Sequence, residues 1–115
     1  MTITMSKGLR SDIADCASAL FDSDLGRHYF PTEESATRAV QEFADNDHFL
    51  VATDENRNFL GFICYIPDGA FHSFPYLHFL GTAPGARGTG VGSQILELFE
   101  RQLHRSIAKG FVRFF

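Results

Sequence analysis

The spacing of apolar residues along the chain changes period several times, and each change predicts a new element. Residues 1–7 alternate between apolar and polar side chains, as a strand with one buried face does. A helix is predicted after the capping pair Ser11-Asp12, and the Asp, Ser and Gly residues of segment 22–26 are expected to break it. A second helix is predicted to open at Pro31 and to end at segment 45–47. The apolar faces of these helices are Ile13, Ala17, Leu20 and Phe21, and Ala36, Val40 and Phe43.

The pattern then changes to that of strands. Residues 48–53 and 59–66 flank a polar turn, which predicts an antiparallel hairpin. Residues 76–82 are almost continuously apolar, which is typical of a strand covered on both faces. A helix is predicted from about Val91, and residues 111–115 predict a last strand, parallel to 76–82. The predicted apolar face of this helix is Leu96, Phe99, Leu103 and Ile107.

The predicted order is therefore β-α-α-β-β-β-α-β, an α/β fold with a mixed sheet. A chain of 115 residues without linker-like segments predicts a single domain over residues 1–115.

The composition narrows the classes of function. The formal net charge is −4 and the basic residues are scattered, which argues against nucleic-acid binding. No segment has the apolar length of a membrane span, so no membrane partner is expected. The spacing of the histidines is not that of a metal site. Cys16 and Cys64 are expected to be small core residues, and two distant cysteines favour a reducing, cytoplasmic location.

A glycine-rich segment joins strand 76–82 to the next helix. Glycine permits positive φ angles and a close approach of ligand to backbone, and free N–H groups at a helix start attract anions. A Rossmann fingerprint fits poorly, because residues 84–87 intervene after the strand and no acid follows about 20 residues later. A P-loop also fits poorly, because it needs Gly-Lys-Ser/Thr and Gly90 is followed by Val91.

The set Pro84-x-x-Arg87-Gly88-x-Gly90-x-Gly92 resembles the coenzyme A motif of the GNAT superfamily of N-acetyltransferases. The family core is Arg/Gln-x-x-Gly-x-Gly/Ala after a central strand, and the predicted element order agrees with the family fold. The resemblance implies transfer of an acetyl group from acetyl-CoA to a primary amine of a small molecule or a protein. It also implies that backbone N–H groups hold the pyrophosphate, namely those of Arg87, Gly88, Thr89, Gly90, Val91, Gly92 and Ser93.

The same resemblance assigns roles to strand 76–82. It places the acetyl carbonyl near the N–H of Leu80, which would polarise it, and places Thr82 against pantetheine. The strand has no acid to serve as the base. His78 lies two residues before Leu80 and is expected to share its face, so it is the candidate base, with a half-buried structural histidine as the alternative. Tyr76 is a further candidate, with packing as its alternative.

Relative to the family, the chain is expected to lack the C-terminal helix and strands. The alternative function is therefore a coenzyme-A-binding or assembly module without turnover. An uncovered terminal strand with exposed aromatic rings also predicts a homodimer that buries Phe111, Phe114 and Phe115.

Overall fold

The computed structural model describes residues 2–66 and 76–108, without the side chains of residues 25, 76, 78 and 103–108. Four strands in these residues form one antiparallel sheet in the order β1-β2-β3-β4. The strands are β1 (Thr4–Lys7), β2 (Phe49–Thr53), β3 (Phe59–Ile66) and β4 (Tyr76–Thr82). The helices are α1 (Ile13–Asp22), α2 (Asp24–Tyr29), α3 (Glu33–Asp45) and α4 (Val91–Ala108), with short 3-10 turns at Arg10–Asp12 and Pro84–Ala86. This arrangement confirms the predicted α/β class.

Helices cover both faces of the sheet. On one face, α1 and α3 pack against β2 and β3; this core consists of Ile13, Cys16, Ala17, Ala19, Leu20, Ala36, Val40, Phe49, Val51, Phe62 and Cys64. On the other face, α4 packs against the same two strands through Ala52, Leu60, Ile63, Val91, Ile95 and Phe99. Neighbouring residues of a strand enter opposite cores, as the pleat requires. β4 contributes to both, with Phe79 on the α1 side and Leu80 on the α4 side.

Both cysteines are buried free thiols, as predicted. Desolvation raises the pKa of Cys64 to about 12 and raises the pKa of Cys16 as well. These thiols are therefore inert core residues at neutral pH.

Segment 22–26 ends α1 as predicted, because Ser23 is extended, but an unpredicted second helix begins at once. Ser23 is the N-cap of α2, and its Oγ accepts the N–H of Gly26 at 2.9 Å. The chain thus turns sharply from α1 into a second short helix. Gly26 permits this turn, because a Cβ at that position would lie 1.7 Å from the carbonyl oxygen of Leu20.

The buried face of α4 also differs from the predicted one. Ile95 and Phe99 are buried, whereas Leu96 is only partly buried. The side chains of Leu103 and Ile107 and the predicted strand 111–115 lie outside the described residues. No helix within residues 2–66 and 76–108 is both long and apolar enough to cross a bilayer.

Candidate functional site

The loop between β4 and α4 contains two residues with positive φ angles. These are Gly88 at 80° and Gly90 at 82°, a region that residues with a Cβ seldom adopt. A Cβ at either position would meet no protein atom within 4 Å. The glycines are therefore required by the backbone conformation of the loop and not by packing, and their backbone is open to a ligand.

Several N–H groups at the start of α4 are available to such a ligand. The first helical hydrogen bond joins the N–H of Gln94 to the carbonyl of Gly90 at 3.2 Å. Five of the N–H groups predicted to hold pyrophosphate have no acceptor among the described residues: those of Gly88, Gly90, Val91, Gly92 and Ser93. The first turn of α4 carries no acid, so its positive dipole end is not neutralised. Together these groups are of the kind that binds anions at helix starts.

The two remaining N–H groups of the predicted set are already used inside the loop. The N–H of Arg87 donates to the carbonyl of Pro84 at 3.4 Å, and that of Thr89 donates to Ala86 at 3.3 Å. The Thr89 hydroxyl also donates to the Ala86 carbonyl. These bonds shape the loop, and contacts of Arg87 and Thr89 with phosphate stay predictions.

The outer edge of β4 presents the backbone groups of Leu80 and Thr82. The N–H of Ala83 donates to the carbonyl of Leu60 on β3 at 2.8 Å. Because successive residues of an antiparallel strand point their backbone groups to opposite sides, Gly81 also faces β3 whereas Leu80 and Thr82 face away from it. No other strand pairs with this edge in the described part of the chain. An extended ligand can therefore add to β4 there.

The strand edge and the helix start belong to one continuous site. A Cβ built at Gly92 would lie 3.4 Å from Cγ2 of Thr82 and 3.8 Å from Cδ2 of Leu80. The first turn of α4 therefore rests on the two residues whose backbone faces the open edge. This arrangement suits one ligand that carries amide groups along β4 and a phosphate group at the helix start.

β4 contains a bulge beside this edge. Cys64 pairs with Phe79, but the next residue of β3, Tyr65, pairs with Leu77, so β4 has one extra residue at His78. Leu77 and Leu80 pack in the same core although they are three residues apart. The two-residue alternation used to place His78 on the face of Leu80 is therefore interrupted here. Such bulges are frequent next to active sites.

The side chains of Tyr76 and His78 are outside the described part of β4. Their roles as catalytic groups stay predictions.

Residues 13–114 match the family model described as the acetyltransferase (GNAT) family. The chain belongs to this family. GNAT membership makes it an acyltransferase, and it confirms the family predicted from the loop motif. A comparison with curated proteins found no match.

Solved structures support the GNAT fold. A Brucella melitensis GNAT acetyltransferase in complex with acetyl-CoA is 21% identical, with a TM-score of 0.65 over 91% of this chain and 70% of its own. A Bacillus cereus GNAT acetyltransferase is 17% identical, with a TM-score of 0.63 over 84% and 61%. A Bacillus halodurans transcriptional regulator is 23% identical, with a TM-score of 0.63 over 90% and 76%. Identities this low show a shared fold.

The GNAT loop also makes a contact that the sequence does not indicate. The side chain of Arg87 turns towards α1, where its Nη1 lies 3.1 Å from Oδ2 of Asp22. Sequence patterns place Asp22 only in the expected helix break. The two residues are 65 positions apart, so no spacing rule joins them.

Proposed function

We propose that this GNAT chain binds acetyl-CoA across the start of α4 and the open edge of β4, and transfers the acetyl group to a primary amine. The observation that carries the proposal is a set of five N–H groups that have no acceptor within the described ranges. They surround two positive-φ glycines, directly beside the outward backbone of Leu80 and Thr82. Phosphate suits the first group and the amides of pantetheine suit the second. The acetyl-CoA complex of the Brucella melitensis relative supports the choice of ligand.

The strand residues then supply the chemistry. The N–H of Leu80 donates to the thioester carbonyl, and it stabilises the negative charge that develops on that oxygen when the amine attacks. His78 accepts the proton of the attacking amine. The new C–N bond forms as the C–S bond breaks, and the thiolate of coenzyme A leaves and is protonated.

Release of coenzyme A thiol in the presence of a panel of amines tests this function. We expect thiol release that depends on both acetyl-CoA and an amine, with acetylated amine detected by mass spectrometry. Binding of acetyl-CoA without release for any amine would replace the enzyme with the alternative, a coenzyme-A-binding module without turnover. Absence of binding would contradict both.

Two further expectations accompany the proposal. A cytoplasmic location and a homodimer through residues 111–115 stay predictions, because the comparisons do not bear on them and those residues lie outside the described ranges. Light scattering of the purified chain at micromolar concentration tests the dimer.

A further inference from the structure

The side chain of Arg87 caps the C-terminal end of α1 from a distant part of the chain. Its Nη2 donates to the carbonyl oxygen of Ala19 at 2.9 Å, and its Nη1 donates to the carbonyl oxygen of Asp22 at 3.4 Å. An α-helix leaves its last carbonyls without helical donors, and a positive charge at that end is favourable. The coenzyme loop is thereby attached to the first helix.

Asp22 strengthens this attachment through its carboxylate. Oδ2 accepts from Arg87 at 3.1 Å, while Oδ1 accepts from Arg27 of α2 at 3.0 Å. The hydrogen bond from Arg27, followed by that from Arg87, lowers the pKa of Asp22, so the carboxylate is charged at neutral pH. One carboxylate therefore joins α1, α2 and the loop.

The loop has few other supports between its two ends. Val91 is 1% exposed and anchors the end at α4. In between, added Cβ atoms at Gly85, Gly88 and Gly90 would meet no protein atom within 4 Å. Glycines leave many backbone conformations accessible, so an unpacked glycine loop needs fixed ends to stay in one of them. The Ala83 N–H, which donates to β3, holds the end at β4, and the contact of Arg87 with α1 holds the residue directly before Gly88.

We propose that Asp22 is a positioning residue for the coenzyme: through Arg87 it holds the loop in the conformation that presents its N–H groups to phosphate. This inference rests on the proposed function, because it assigns a purpose to the loop conformation. Asp22 acts through Arg87 and does not itself touch the substrate.

Two measurements on variants test the inference. Asp22→Ala removes the carboxylate that pairs with Arg27 and Arg87. Arg27→Gln removes only the ion pair between Arg27 and Asp22 and leaves the contact of Asp22 with Arg87 in place. We expect Asp22→Ala to raise the Kd and KM for acetyl-CoA by roughly three- to tenfold with little change in kcat, as loss of ligand-site preorganisation does. Arg27→Gln is expected to match the parent.

Limited trypsin digestion of the free protein gives a readout that needs no ligand. Cleavage after Arg87 requires its side chain to leave α1, so Asp22→Ala should accelerate cleavage there several-fold. Cleavage after Arg38, inside α3, reports global unfolding and should accelerate much less than cleavage after Arg87.

The cleavage rates and the Kd together separate a positioning role from a purely stabilising one. Faster cleavage at Arg87 and Arg38 alike would show that Asp22 only stabilises the fold. Unchanged cleavage at Arg87 and an unchanged Kd would also overturn the inference. If the parent protein itself does not bind acetyl-CoA, the proposed function fails, and the cleavage rates still decide whether Asp22 holds the loop.

Discussion

Gly90 has a φ angle of 82°, whereas Gly85 in the same loop has an ordinary φ. A Cβ at either position would meet no protein atom within 4 Å, so the two glycines differ in backbone conformation and not in packing. This pair therefore separates the need for a positive φ from the need for space.

We expect Gly90→Val to weaken acetyl-CoA binding by more than about tenfold, because a residue with a Cβ costs roughly 1–2 kcal/mol in this region and the side chain would also face the ligand. Gly85→Val is the control and should retain most of the affinity. Isothermal titration measures both. Equal affinity of Gly90→Val and the parent would show that the loop does not hold the phosphate.

His78→Ala tests the predicted base. Loss of a general base lowers kcat by roughly 10²–10⁴-fold, whereas the Kd for acetyl-CoA should stay the same. His48 provides a control, because it precedes β2 and its ring lies 5.5 Å from that of Tyr65. His48→Ala should leave kcat near that of the parent. An unchanged kcat in His78→Ala would make His78 a structural residue of the bulge.

The charge of Asp22 predicts a pH dependence of stability. Its pKa is lowered in the folded state, first by Arg27 and then by Arg87, so the folded state binds fewer protons than the unfolded chain. The resulting stabilisation is present above the unfolded pKa of about 3.9 and is lost as the pH falls through the folded pKa. The Tm difference between the parent and Asp22→Asn should therefore shrink below about pH 4. A constant difference down to about pH 2.5 would contradict this assignment.

At the scale of the elements, local patterns predict most of the fold. The observed bounds of β3 and β4 and the start of α4 at Val91 are those predicted. Each depends on signals within a few residues, such as an apolar run bounded by turn residues or a glycine before a helix. The glycine-rich loop before α4 is recognisable for the same reason, since its glycines and the helix start adjoin in sequence.

Features that depend on tertiary contacts are not predictable in this way. The separate helix α2 is not predicted, because Ser23 can end one helix or cap the next. Only packing against α1 decides between these two roles. Ile95 rather than Leu96 is buried because the position of α4 on the sheet sets which side chains face it. The bulge at His78 depends on the register between β3 and β4, which the composition of one strand does not reveal.

The junction of α1 and α2 gives a prediction about this packing. At Gly26 a new Cβ would overlap the carbonyl oxygen of Leu20, so Gly26→Ala must displace one helix end. We expect a loss of roughly 1–3 kcal/mol in the free energy of unfolding, the usual cost of overpacking. Gly85→Ala, which enters open space, should change it by less than about 0.5 kcal/mol. Urea denaturation measures both, and equal stabilities would contradict the tight junction.

At the scale of the molecule, helices on opposite faces of the sheet both contribute to the site. α4 supplies the helix start from one face, and α1 reaches the loop from the other through Asp22 and Arg87. β4 lies between them and offers its open edge. The site therefore depends on the assembly of both layers, although its recognisable motif occupies a single loop.

The thermal shift of the purified chain with acetyl-CoA, beside NADH and ATP at equal concentration, tests the central claim most directly. A ligand at about one hundred times its Kd adds roughly 2.7 kcal/mol to the stability of the folded state. We expect a rise in Tm with acetyl-CoA and with free coenzyme A, and little change with NADH or ATP. Equal shifts with all of these ligands, or no shift with acetyl-CoA, would contradict a specific acetyl-CoA site.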